Sequence, residues 1–429
     1  MKKRTAIHPL RCGALALAAV LAAAPAVEAQ VPAPPQARPV ALVGATIHTV
    51  SDGVIENGTI VFANGRITAV GTNVTIPPGA EQVDATGKHI YPGLVDAYSA
   101  MGLEEIGSVD VTSDANELGD FNPNVRAEVA VNPESRHIGT ARSHGVLVAV
   151  TTPGGGRVSG MSAALSLDGW TWEEMTLQSG TAMNVNWPST RNQEGYAEGI
   201  RELRDMFATA RAYRDARAAG GHDTDLRWEA MVPVVDGDMP VVVSASGVRE
   251  IQDAIAWSED ENIRLIIRGA SDADYIADQL AEKQIPLLLT STMGGPERMW
   301  EGYDANYSLA ARLHEKGVRF AITGGSSAAY NHRLPYEAGV AVAFGLSEEE
   351  ALKAVTLSPA QFLGIADRVG SLEVGKDATL LITNGNPLDY LASVEQAYIE
   401  GRAIDMNDIH KQLFEKYMEK LRQRAVIMD

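Results

Sequence analysis

Between Val241 and Thr323 four short apolar runs recur at the spacing of strands joined by helices, and few architectures can bury such a pattern. The runs cover residues 241–244, 265–268, 285–289 and 318–323. Val248, Ile251, Ala254 and Ile255 follow the first at helical spacing, and Ala273, Ile276, Ala277 and Leu280 follow the second. Strands that are apolar on both faces fit a parallel sheet covered on both sides. The pattern belongs to a middle region, residues 92–365, whose length is close to the roughly 250 residues of a (β/α)8 barrel. It predicts an α/β, TIM-like barrel. Residues 94–97 and 146–151 read as its first two strands, while the third and fourth carry no clear signal. Ser347 with Glu350 three residues on predicts a boxed helix start, and Ser358-Pro359 predicts another. Residues 102–132 are too long for an ordinary connection and are expected to form either a functional lid or a packing surface.

The two ends of the chain read differently from the middle. Residues 40–43, 59–62 and 67–70 are strand-like, and Ser51-Asp52-Gly53, Asn57-Gly58 and Asn64-Gly65 separate or flank them as turn candidates. Asn-Gly pairs suit tight hairpins because both residues tolerate positive φ. A matching set lies at 378–383, 394–399 and 401–404. The expectation is one small composite β-sandwich built from residues 40–91 and 366–405, followed by a C-terminal unit at 406–429 with a helix over 407–425.

Residues 1–29 have a basic start (Lys2, Lys3, Arg4, Arg11), an apolar run over 13–24 and small residues before Gln30. This is the pattern of a secretory signal, so the chain is expected to be exported to a periplasmic or extracellular space. The run is shorter than the roughly 20 residues a membrane span needs. Residues 30–39 form a proline-stiffened linker. The only cysteine, Cys12, lies in the leader, which leaves the mature chain without disulfide, thiol nucleophile or cysteine metal ligand. The leader carries four basic residues and one acidic residue, so its removal takes the net charge from −19 to −22. A surface so acidic argues against nucleic-acid and anionic-membrane partners. With 45% apolar residues the chain can bury a large core.

The run from Ile90 to Leu103, Ile-Tyr-Pro-Gly-Leu-Val-Asp-Ala-Tyr-Ser-Ala-Met-Gly-Leu, resembles the first barrel strand of the amidohydrolase superfamily. In that family a Pro-Gly-Leu-Ile/Val-Asp run precedes His-x-His, which holds the catalytic metal. Residues 371–380 and Asn386-Pro387-Leu388 are similar to the family's C-terminal β piece. Residues 168–174, 180–188 and 334–339 resemble a secreted, imidazolonepropionase-like branch. The resemblance implies a barrel with a composite β-sandwich and metal-dependent hydrolysis of non-peptide or small-peptide C–N bonds. It would place the two strand-one histidines at Tyr98 and Ala100, further histidines at Ser244 and Arg268, and an aspartate within Thr323–Ser326. None of these residues suits a cation in the way imidazoles and carboxylates do, and an arginine stays protonated.

Of the nine histidines, His137 and His144 sit seven apart on one face of an expected outer helix. His332, in the loop after the eighth strand, is the one expected at the barrel mouth. Gly154-Gly155-Gly156 reads as a turn, because it lacks the Lys and Ser/Thr of a phosphate loop. Ser244, Ser246, Ser326 and Ser327 have no Gly-x-Ser-x-Gly context. Arg268 either grips a carboxylate or phosphate bidentately or pairs with an internal acid such as Asp96.

The ligand-contacting set is therefore expected to be Tyr98, Ser244, Arg268, Thr323, Ser326 and His332, with no metal and no cofactor. The leading reading is a non-hydrolytic protein that binds a small molecule, or a partner subunit of an active relative. The partners expected are a small-molecule ligand and either a second copy in a homo-oligomer or an active relative in a hetero-oligomer. The alternative is an active hydrolase with a non-standard, metal-independent site at the strand ends.

Overall fold

The computed structural model describes residues 31–221 and 223–424. The expected secretory leader with Cys12, residue His222 and the end of the C-terminal unit lie outside the described residues.

The first five strands are β1 (Val40–His48), β2 (Val54–Ala63), β3 (Arg66–Gly71), β4 (Glu81–Asp84) and β5 (His89–Pro92). Gly44, at φ 82°, lies between the two halves of β1; the first half pairs with β4 and the second with β5. Asn64-Gly65 forms the β2–β3 hairpin turn, both residues having positive φ. Asn57-Gly58 does not turn the chain as expected. It lies within β2, where Asn57 takes φ 49° and the register with β1 shifts, so the pair makes a bulge.

The barrel opens with β6 (Leu94–Ser99), α1 (Arg136–Ser143), β7 (Val146–Thr151), β8 (Val158–Ser166), α2 (Trp172–Met175) and β9 (Thr176–Asn186). It continues through α3 (Gln193–Ala218), α4 (Leu226–Val235), β10 (Val241–Ala245), α5 (Val248–Glu261), β11 (Leu265–Gly269) and α6 (Ala277–Glu282). β12 (Leu287–Leu289), α7 (Leu309–Glu315), β13 (Phe320–Ile322), α8 (Leu334–Ala343), α9 (Glu348–Ala354) and α10 (Leu357–Phe362) complete it. Strands β6 to β13 form one eight-stranded sheet in sequence order. Its ends are drawn together beyond β13, where the Ala100 amide donates to the Ser326 carbonyl at 3.0 Å. The result is a nearly closed, TIM-like barrel.

One strand breaks the expected parallel pattern. β8 is antiparallel to both β7 and β9. The cause is local, because residues 152–157 with their three glycines are too short for a crossover helix and can only turn the chain back. β7 ends level with Ala163, so the start of β8 has a free edge. Residues 102–132 cover that edge through the Val158 amide to the Asp120 carbonyl at 2.9 Å and the Met161 amide to the Val125 carbonyl at 2.8 Å. Of the two expected roles, the segment takes that of a packing surface.

Val95, Val148, Val150, Val242, Ile266, Leu288 and Ala321 fill the barrel interior, and Phe362, Leu363 and Ile365 close it. A larger apolar layer, including Trp257, Phe207 and Ile251, joins the sheet to the helices. The Ser347 hydroxyl accepts from the Glu350 amide at 3.2 Å and starts α9. Ser358-Pro359 falls within the first turn of α10 rather than ahead of it, since the cap position is Thr356.

The chain ends with β14 (Leu380–Thr383), β15 (Val394–Ile399), β16 (Arg402–Ala403) and α11 (Ile409–Gln423). β14 pairs with β5, so both ends of the chain contribute to one eight-stranded sheet with its own core around Leu42, Ile60, Phe62, Ile90 and Leu380. A buried charge cluster ties this sheet to the barrel. Asp168, just beyond β8, accepts from Arg142 of α1 at 2.8 Å, pairs with Arg402 of β16 at 2.9 Å and accepts from the Ala33 amide at 3.2 Å. The N-terminal linker is thereby pinned at Ala33, which is buried.

Candidate functional site

Side chains alternate along a strand, so the residue two beyond a core-facing one shares its face. Val242, Ile266 and Ala321 face the barrel interior, which brings Ser244, Arg268 and Thr323 to the same face at the strands' C-terminal ends. In barrels of this kind that end carries the chemistry. Ser244 and Arg268 are cross-strand partners, and Arg268 Nη1 donates to Ser244 Oγ at 3.3 Å. The guanidinium carbon lies 4.0 Å from the centre of the Tyr98 ring. Since β6 and β11 are not neighbours in the sheet, this cation–π contact crosses the barrel. Arg268 is half-buried, and its Nε is buried without a hydrogen-bond partner. Thr323 is buried and spends its hydroxyl on the Leu289 carbonyl at 3.2 Å.

Asp96 is not the partner of Arg268. It is fully buried between β6, the turn after β13 and α8, where it accepts from the Gly324 amide at 3.2 Å, the Tyr98 amide at 3.2 Å and the Asn331 side-chain amide. Burial pushes its carboxyl up to about 8, against those amide donors and the nearby Arg268, with the Glu337 carboxyl adding to the rise. Asp96 therefore latches the eighth strand to the first. A side chain at Gly324 would meet Asp96 Oδ2 and the Asn331 carbonyl at 2.9 Å, so the latch closes around a residue with no Cβ.

His332 does not join the mouth group. It lies on a 3-10 turn (Ala328–Arg333) on which Asn331 reaches inward to Asp96, and the next residue on so tight a helix points elsewhere. Its ring sits 5.2 Å from that of His144 and 5.8 Å from that of His410. Burial, followed by those two rings and Arg333, lowers it to about 4. Burial also lowers His144, whose Nδ1 lies 2.8 Å from the Thr140 carbonyl. His137 does not meet His144, because its Nε2 is 2.9 Å from the Glu105 carbonyl. Ser326 is exposed and contributes its backbone carbonyl, whereas Ser327 binds Glu104 at 2.7 Å and holds down the 102–132 segment.

Of the six expected contact residues, the fold brings Tyr98, Arg268 and Ser244 into contact and sets Thr323 on the same inner face, whereas Ser326 is exposed and the His332 ring lies with His144 and His410. Asn331 and Gly324 were missed as latch residues; the only sequence signal was their nearness to the eighth strand. The inner-face donors are a phenol, two hydroxyls and a guanidinium, a set that does not fit a divalent cation. Among the described residues no group of three or more His, Cys, Asp or Glu is placed to hold a metal ion. Ser244 is no activated nucleophile, because its neighbour Arg268 can only donate. Cavities of about 540 Å³ at the strands' N-terminal ends, 510 Å³ beside α8 and 570 Å³ beside α1 lie away from this group.

Comparison with known proteins accords with this fold. A family model described as the amidohydrolase family matches residues 246–409. The amidohydrolase tasK of Hapsidospora irregularis is 24% identical over 396 residues, 81% of this chain but only 40% of that protein's length. An imidazolonepropionase of Geobacillus sp. (strain WCH70) is 24% identical over 386 residues, 77% of this chain and 84% of its own. The crystal structure of an amidohydrolase from Thermotoga maritima MSB8 superposes with a TM-score of 0.78 at 28% identity, covering 85% of this chain and 99% of that one. With the barrel, the added β-sheet and these similarities in agreement, the chain is similar in fold and sequence to the amidohydrolase superfamily.

Proposed function

We propose that this protein is a non-hydrolytic amidohydrolase relative that binds a small carboxylate-bearing molecule at its barrel mouth. The observation that carries the reading is Arg268, a half-buried guanidinium stacked on Tyr98, with a buried Nε that has no partner. The resemblance assigns this strand end to a metal-binding histidine. A fixed cation standing there repels a second one and offers planar donors to a carboxylate. Tyr98 pins the guanidinium plane and Ser244 its Nη1, so little order is lost when a ligand arrives.

Water becomes a useful nucleophile at neutral pH when a cation lowers its pKa, or when a base accepts its proton. The named inner-face side chains supply neither, and the Asp96 carboxyl is already taken by the Gly324 and Asn331 amides. The activity expected is recognition without C–N cleavage.

Calorimetric titration with a panel of small carboxylic acids and their matched primary amides tests this. Carboxylates should bind and amides should not. Arg268→Ala should weaken the binding at least 30-fold, about 2 kcal/mol, since charge-assisted hydrogen bonds contribute about that much or more. Equal binding of acid and amide, undiminished binding by Arg268→Ala, or turnover of any C–N substrate by the metal-free protein would contradict the proposal.

A further inference from the structure

The helix α11 is 15 residues long and contains no buried residue. Isolated helices of about 12–15 residues are marginal in water, so a helix this exposed needs a surface to lean on. Its apolar stripe is open, with Leu413 38%, Phe414 61% and Tyr417 54% exposed. It carries four basic and two acidic residues, whereas the whole chain has a net charge of −19. The helix is therefore a cationic, aromatic element on a strongly acidic protein, and it calls for an apolar groove with an acidic rim.

The chain has such a groove. Between α8 and residues 386–391 lies a cavity of about 510 Å³ with Tyr336, Val340, Leu388 and Tyr390 among its apolar lining and Glu348 and Asp389 at its rim. Tyr390 and the adjoining Leu391 are 79% and 77% exposed. No residue of α11 from the same chain lines it. The groove nevertheless begins close to the root of α11. The ring of Tyr336 lies 6.1 Å from that of His144, and the His144, His332 and His410 rings continue the contact into the first turn of the helix.

From this juxtaposition we propose that α11 docks into the α8 groove of a second copy of the chain, and that the second copy's helix returns the contact. A helix beside a groove that it does not fill itself suits reciprocal exchange about a two-fold axis, the closed arrangement in which the same surfaces serve both copies. Phe414 and Tyr417 enter among Val340, Leu388 and Tyr390, and Lys416 and Lys420 face Glu348 and Asp389. The charge match sets orientation and the aromatic residues supply most of the affinity.

Sedimentation velocity across a concentration series tests the proposal on the purified full chain. A dimer is expected, and the exposed-site double variant Phe414→Asp/Tyr417→Asp should raise its dissociation constant at least 100-fold with unchanged circular dichroism. Val340→Asp, on the groove side, should do the same. In a Cys12→Ser background, Tyr417→Cys with Val340→Cys should yield a disulfide-linked dimer on oxidation. A monomer at every concentration, a dimer indifferent to both Asp variants, or a disulfide formed only within one chain would overturn it. So would a monomer whose binding to anionic phospholipid vesicles is lost in Phe414→Asp/Tyr417→Asp, which would assign the helix to a membrane surface.

Discussion

Asp96→Asn is expected to flatten the loss of stability that the parent protein shows between about pH 4 and pH 8, and Asp96→Ala to lower stability throughout. The first effect follows from linkage. Burial raises the folded-state pKa of Asp96 to about 8 from its ordinary value of 3.8. At low pH both folded and unfolded chains hold the proton, and the contribution of the protonated latch is complete. As pH rises the unfolded chain releases its proton while the folded chain keeps it, so stability falls by roughly 1 kcal/mol per pH unit until the folded pKa is passed. His48 and His332, both lowered to about 4, act in the opposite sense below their ordinary pKa, because there the unfolded chain binds the additional protons. The measurement is therefore the difference between parent and Asn variant in urea-derived unfolding free energy across that pH range. A difference independent of pH would show that Asp96 is ionised in the fold. The Ala variant instead strands the Gly324 amide and the Asn331 side chain. Each stranded donor costs about 1–3 kcal/mol, so a loss of about 3 kcal/mol or more is expected at pH 5.

Asp168→Ala should be of similar size for a different reason. Its carboxylate is almost fully buried between Arg142, whose side chain is 5% exposed, and Arg402, at 17%. Removing one member of a buried charge cluster costs about 3–5 kcal/mol, because Arg142 and Arg402 then lose their shared carboxylate, while Arg402 keeps Glu400 at 3.9 Å. The linker is released as well, since the Ala33 amide loses its acceptor. Limited proteolysis should then cut residues 31–39 faster in the variant, with a lower midpoint in chemical unfolding. Unchanged proteolysis with an unchanged midpoint would mean that Arg142 and Arg402 are satisfied elsewhere.

The parts of the fold that the sequence reveals are those whose local pattern matches their final burial. Residues 241–244 and 265–268 are apolar on both faces and become β10 and β11, and the Ser347 and Glu350 pair starts α9. β8 was hidden because Val-Ser-Gly-Met-Ser-Ala-Ala-Leu-Ser mixes small and polar residues, and its antiparallel direction is set by a turn that looks like any glycine-rich loop. Asn57-Gly58 misled because the same positive-φ residue serves a hairpin or a bulge, and only the partner strand decides which. At the site, strand alternation carried Ser244, Arg268 and Thr323 to one face. It could not locate His332, whose direction depends on a 3-10 turn invisible as periodicity. The partner of Arg268 was not legible either, because Asp96 is spent on the Gly324 and Asn331 amides while the guanidinium meets Ser244 and the Tyr98 ring.

The central claim is that a fixed guanidinium stands where the resemblance places a metal-binding histidine. Its most direct test is elemental mass spectrometry on protein purified without chelator and without a histidine-rich tag. The account requires near-zero transition metal per chain, not restored by soaking in zinc, manganese or iron. One or two tightly held equivalents per chain, the occupancy of mono- or dinuclear hydrolytic sites, would contradict it and return the barrel mouth to metal-assisted hydrolysis.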